Sequence, residues 1–126
     1  MSSKKRKSRI LQIKKQTYQF GDSREIIAAN FLRLKGYEIL ARRFKSPLGE
    51  IDIIAKKLQT LVFIEVKARK HEELIEVILR PQQALRIKAA AEYFLAKNPK
   101  YENFNIRFDF ILFIKSIIPQ HFKDYF

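Results

Sequence analysis

The most regular stretch of the chain is TLVFIEVKA, residues 60–68. There Val62, Ile64 and Val66 fall on one face of an extended strand, and Phe63, Glu65 and Lys67 on the other. Upstream, YEILARRF and EIDIIA have the β-branched residues of two further strands, separated by the turn formers SPLG, and KKLQ makes the next turn. Ahead of them, REIIAANFLRLK follows the N-capping residues Asp22 and Ser23 and stops at Gly36, as a helix does. Its apolar residues Ile26, Ile27, Ala28, Phe31, Leu32 and Leu34 cover much of its circumference, which predicts packing against a sheet. A second helix is predicted for PQQALRIKAAAEYFLAK, with Pro81 in its first turn, a stripe of Ala84, Ile87, Ala91, Phe94 and Leu95, and Asn98-Pro99 at its end. NIRFDFILFI then reads as a strand buried on both faces in the middle of a sheet. The predicted order is α-β-β-β-α-β in an α/β fold. RKHEELIEVILR, residues 69–80, fits either a charged loop or a helical turn.

With 126 residues the chain has enough length for one core. It divides into a basic, flexible tail over residues 1–19 and a single domain over 20–126. No stretch has the roughly 20 uncharged apolar residues of a membrane span. The absence of cysteine excludes disulfides and thiolate metal sites, and with no apolar leader at the start a cytoplasmic location is expected. The net charge is +13. Seven of those charges are Lys4, Lys5, Arg6, Lys7, Arg9, Lys14 and Lys15 in the tail, and the domain keeps the rest. Such a balance favours a polyanionic partner, nucleic acid first, although a solvated arm would look the same in sequence.

Charged residues inside apolar strands need a partner, a cation or a cleft, because burying a lone carboxylate costs several kcal/mol. Glu50 and Asp52 stand in GEIDIIA, and Glu65 and Lys67 in VFIEVKA. A hairpin between these strands sets Asp52 beside Glu65, with Lys67 on the same face. Two carboxylates and a backbone carbonyl such as that of Val66 make an oxygen site suited to Mg²⁺ or Mn²⁺. Lys67 would then hold or help deprotonate water, or offset charge on a phosphate. Glu25, in the first turn of the first helix, is placed to reach the metal or orient a bound water. The competing reading is an edge hairpin in which Glu50, Asp52 and Glu65 pair with Lys67, Arg42 and Arg43 as surface ion pairs.

The segments GDSREIIAANFLRLKGYEIL, GEIDIIA, LVFIEVKAR, the Ala-rich helix and RFDFILF together resemble the YraN family, over roughly residues 20–115. That resemblance implies a three-layer, restriction-endonuclease-like core with a mixed central sheet flanked by helices. It also implies the PD-(D/E)XK nuclease superfamily, near the Holliday-junction resolvases. It assigns the family's helix glutamate to Glu25, its GEID acids to Glu50 and Asp52, and its E-x-K to Glu65 and Lys67. Two positions depart from the family pattern: Arg43 stands in place of Asn, and Gln83 in place of Lys.

Arg42, Arg43 and Lys45 before the GEID strand, and Arg69 and Lys70 after the E-x-K strand, are candidates to hold a nucleic-acid backbone, with solvated strand ends as the alternative. Asp109 reads as a buried structural pair, His71 and His121 as peripheral, and Tyr101 and Phe104 as the exposed aromatics. The sequence therefore points to a Mg²⁺- or Mn²⁺-dependent nuclease acting on DNA rather than RNA. Branched or structured DNA is implied by resemblance, and a homodimer is the arrangement common among resolvase-like enzymes. A nucleic-acid-binding domain of the same fold without turnover is the alternative.

Overall fold

The computed structural model describes residues 23–70, 79–115 and 117–126. The basic tail, the N-capping Asp22, His71 and most of the ambiguous segment 69–80 lie outside the described residues. Within them, α1 covers 23–34 and ends at Gly36, whose φ of 93° is the left-handed conformation glycine adopts without strain. Three antiparallel strands follow: β1 (Glu38–Ser46), β2 (Gly49–Lys57) and β3 (Thr60–Arg69). The second helix, α2, spans Pro81–Lys97, followed by a short 3₁₀ turn, Pro99–Tyr101. Strand β4 (Asn105–Ile114) pairs with β3 in parallel, and β5 (Gln120–Phe122) closes the sheet on β4's other edge.

The spatial order is β1-β2-β3-β4-β5, so β3 is central and the sheet is mixed. Each helix covers one face. Ala28, Ala29 and Leu32 of α1 pack with Ile53, Ala55, Val62, Ile64, Ile111 and Phe113. On the opposite face Ile87, Ala90, Ala91 and Phe94 of α2 pack with Ile51, Ile54, Leu61, Phe63, Phe110 and Leu112. This three-layer α/β arrangement is the expected fold class, and the alternation in β3 divides its side chains between the two helices. No helix among the described residues is long and apolar enough to cross a membrane.

Several sequence expectations need correction. Short β5 extends the order to α-β-β-β-α-β-β. Three residues are too few for a periodic signal, and its pairing with β4 comes from tertiary contact. Strand β4 is one step from the centre, and its first residues, Asn105 and Ile106, are exposed. On α1, Ile26 and Leu34 face solvent at 44% and 89% exposure, because one sheet face covers only one side of a helix. Tyr101 is buried beneath the end of α2, stacked on Phe94, and Phe104 is half-buried against it, so neither is an exposed aromatic.

Candidate metal centre and basic surfaces

Strand β2 changes face at Asp52. Ile51 packs toward α2 while Ile53 packs toward α1, although strict alternation would put both on one side. The facing strand does the same: Ala41 and Phe44 both pack on the α2 side, across Arg43, whose φ is 53°. Asp52 and Arg43 face each other at this irregularity, flanked by the pairs Arg42–Ile53 and Phe44–Ile51. The β2–β3 ladder is paired from Lys57–Thr60 as far as Ile53–Ile64, so Asp52 stands where the two strands part.

In that gap Asp52 Oδ2 accepts the Val66 N–H at 2.8 Å, satisfying a strand donor with a side chain. The N–H and C=O of one strand residue point to the same side, so the Val66 carbonyl also faces the gap. Glu65 projects to the α2 face and is buried. Its Oε1 accepts from Gln83 Nε2 at 3.1 Å and lies 3.4 Å from Lys67 Nζ. A cavity of about 370 Å³ opens over these groups, lined by Glu50, Asp52, Glu65, Lys67, Gln83 and Arg86 with Gly49 and Ile87. Gly49 is required there: a Cβ on it would stand 2.9 Å from the Arg86 carbonyl, so only glycine lets α2 approach this closely.

Burial drives the electrostatics. Desolvation, and then the charge of Asp52, push the Glu65 carboxyl up to about 8, with the Lys67 ammonium opposing the shift. Asp52 is also raised by burial, with the Val66 N–H working against it. Each of the two carboxyls acts on the other's titration. At neutral pH Glu65 therefore keeps its proton, because ionising it beside Asp52 would add a second negative charge to a poorly solvated site.

A divalent cation is the other species that satisfies such a pair. Among the described residues no cluster of three or more His, Cys, Asp or Glu forms a metal-holding group. Magnesium and manganese do not need one. Mg²⁺ retains several waters and is commonly held by one or two carboxylates plus substrate phosphate, which fits Asp52, Glu65 and the Val66 carbonyl.

Glu25 is buried, and its Oε2 accepts from Arg43 Nε at 2.8 Å. Its other oxygen, Oε1, is buried with no hydrogen-bond partner among the described residues. Burial, and then the charge of Asp52, raise its carboxyl above the usual range. Glu25 therefore feels the charge of Asp52 without lining the cavity. Glu50 lines it but is exposed, and faces Lys45 at 3.8 Å across the hairpin.

The predicted basic residues separate. Arg43 pairs with Glu25 and Lys45 with Glu50, while Arg42 is exposed, and none of the three lines the acid cavity. Arg69 and Lys70 line a second hollow at the end of β3. The surface-pairing alternative thus describes Glu50, though with Lys45 as partner. Glu65 does pair with Lys67 as that reading has it, but in a buried position and not on the surface, and Asp52 accepts the Val66 N–H in place of a surface cation.

Sequence reasoning did not foresee Gln83 as a direct partner of Glu65, nor Arg86 on the cavity wall. Their signal was present: Gln83 lies one turn before Ile87, on the buried stripe of α2. Asp109 is a buried structural acid, as expected. Arg107 Nε and Nη2 donate to both its oxygens at 2.8 Å, and the Asp124 N–H donates at 2.9 Å. His121 Nε2 lies 2.7 Å from its Oδ2, and Lys35 Nζ 2.9 Å from His121 Nδ1. The placement of His121 at the heart of this cluster had no local signal.

Comparison with known proteins gives a consistent result. The profile of "Uncharacterised protein family UPF0102" matches residues 24–113. A UPF0102 protein of Rhodopseudomonas palustris (strain HaA2) is 48% identical over 104 residues, covering 82% of this chain and 81% of the relative. One from Nitrobacter winogradskyi is 43% identical over 104 residues, 82% and 88% of the two chains. Another, from Parvibaculum lavamentivorans, is 37% identical over 107 residues, 85% and 80%. The matched span runs from the helix of Glu25 through the acid pair to the end of β4, and the chain belongs to the UPF0102 (YraN) family that its motifs resemble.

Proposed function

We propose that this protein is a Mg²⁺- or Mn²⁺-dependent nuclease that hydrolyses phosphodiester bonds of DNA, with branched or structured DNA as the expected substrate class. The observation that carries this reading is the meeting of Asp52, Glu65 and Lys67 where β2 and β3 part. Asp52, Glu65 and the Val66 carbonyl would hold the ion, which when bound supplies a polarised phosphate and an acidified water. Lys67 would offset the negative charge that builds on the phosphate as water attacks and one ester P–O bond breaks. Arg86, on the cavity wall, is a further cation facing that phosphate. Glu25 positions its neighbours through Arg43, and Glu50 adds charge at the cavity mouth.

A second reading, a nucleic-acid-binding domain without turnover, draws support from Glu65 itself. A carboxyl raised to about 8 is mostly protonated at neutral pH and competes with a cation, and uncharged Gln83 does little to change that. The test is incubation of the protein with branched, single-stranded and duplex DNA in Mn²⁺, Mg²⁺ and EDTA, beside the Glu65→Ala/Lys67→Ala variant. Metal-dependent cleavage that disappears in the variant is the expected result. Binding without cleavage on any substrate would leave the second reading.

A further inference from the structure

We infer that the hollow formed by Arg24, Arg69, Lys70 and Lys115 holds the phosphate backbone of a nucleic-acid strand where it leaves the acid cavity, an inference that rests on the nuclease reading above. The hollow measures about 420 Å³. Among the described residues it is lined by those four cations and Ala68, with no acid. Arg69, Lys70 and Lys115 bring like charges to one concavity, and a ligand of phosphate chemistry relieves their repulsion.

Its position in the fold supports the same ligand. The hollow sits at the carboxyl ends of the parallel strands β3 and β4, the place in an open α/β sheet where ligands bind. The Lys115 N–H donates to the Arg69 carbonyl at 3.0 Å, so the two strand ends hold their cations side by side. Arg24, from the first turn of α1, lies over the Phe113 ring at 5.8 Å, and Arg69 Nη1 donates to the Ala68 carbonyl at 2.8 Å. These contacts tie the two arginines to the scaffold. Glu65 and Arg69 are four residues apart on β3, roughly 13 Å along the strand. The acid cavity opens on the α2 side, and the hollow is walled by Arg24 of α1 and by Ala68, which packs on the α1 side, so a strand joining them crosses the sheet at the carboxyl end of β3.

The test measures binding in EDTA, so that no cleavage is needed. Affinity of the full chain for a fluorescent single-stranded DNA is followed across a range of potassium chloride concentrations. The protein carrying Arg69→Gln, Lys70→Gln and Lys115→Gln is compared with one carrying Lys88→Gln, Lys97→Gln and Lys100→Gln, three exposed cations on α2 and the turn after it. Loss of three phosphate contacts lowers the slope of log affinity against log salt by about 2, at roughly 0.7 per contact. That change is expected for the first variant, with the second close to wild type. Equal effects in the two variants would reduce the hollow to bulk charge and overturn the inference, as would an unchanged slope in the first. Displacement of the DNA by millimolar inorganic phosphate in wild type alone would assign the hollow to a free anion and also overturn it. Cleavage assays report separately: a normal slope change without cleavage sinks the nuclease reading and spares the hollow, and cleavage with no slope change does the reverse.

Discussion

The Val66 N–H donates to Asp52 Oδ2 at 2.8 Å, one step beyond the last backbone pair of β2 and β3. A side chain thus takes over a ladder hydrogen bond at the point where the strands part. Asp52 is therefore structural and chemical at once. Asp52→Ala leaves a part-buried donor without its partner and should cost about 1 kcal/mol, read as a lower midpoint in urea. Asp52→Asn retains an acceptor oxygen and should keep most of that stability while abolishing any metal-dependent activity.

The same Asn substitution should move Glu65. Because the charge of Asp52 is second only to burial in raising Glu65, Asp52→Asn should bring the Glu65 titration down from about 8, followed by NMR of its side-chain carboxyl carbon. A titration that stays in place would mean that burial alone sets it.

Stability in EDTA should fall as pH rises from about 5 to about 8. The sign follows from proton binding: above its ordinary value of 4.5 an unfolded Glu65 is ionised, while the folded one keeps its proton up to about 8. The folded state therefore binds more protons, and raising the pH favours unfolding. Glu65→Gln should flatten this dependence and raise the melting temperature at pH 8. Mg²⁺ or Mn²⁺ should stabilise wild type most at the alkaline end and release a proton on binding at neutral pH, measured by calorimetry in buffers of different ionisation enthalpy.

Gln83→Lys would set a cation at the atom that now donates to Glu65 Oε1 at 3.1 Å. The expected outcome is a Glu65 titration lowered by a unit or more, the usual effect of an opposite charge within about 4–6 Å. The pH dependence of stability and of metal binding should move with it. Unchanged profiles would show that Gln83 does not govern the proton on Glu65.

Asp109 should behave in the opposite sense. Burial alone would raise it, but His121, Arg107 and the Asp124 N–H outweigh burial and hold it below the usual carboxylate range. Its contribution is thus complete above pH ~4 and is lost as acid protonates it below that. Asp109→Ala strands the Arg107 guanidinium beside Tyr37 and should cost about 3–5 kcal/mol, with the β5 amides exchanging first. Metal binding at the acid pair should persist in the folded fraction.

The elements were legible because their signals are local. Pro81 and Asn98-Pro99 bracket α2, and its stripe of Ile87, Ala91 and Phe94 is the one that buries. Alternation in β3 correctly sent Phe63, Glu65 and Lys67 to one face. It failed for β2 at Asp52, since a period-two reading cannot register a strand that changes face partway along. Strand β5 escaped for a related reason: three residues carry no period, and only their pairing with β4 makes them a strand.

Sequence by itself determined the α/β class, the strand and helix boundaries to within a residue or two, and the unusual set of acids and a lysine inside apolar strands. Those properties depend on neighbours close in the chain, where a period of 2.0 or 3.6 can be read directly. Tertiary structure decided which charges meet. It joined Asp52 to Val66 and Glu65 to Gln83, turned Arg43 to Glu25, and set Arg69 beside Lys115 instead of the acid pair. Each of these contacts spans 14 to 46 residues of chain, and the burial that raises Glu65 comes from an entire helix laid across the sheet. Local periodicity says which face a side chain takes, and packing alone says what waits for it there.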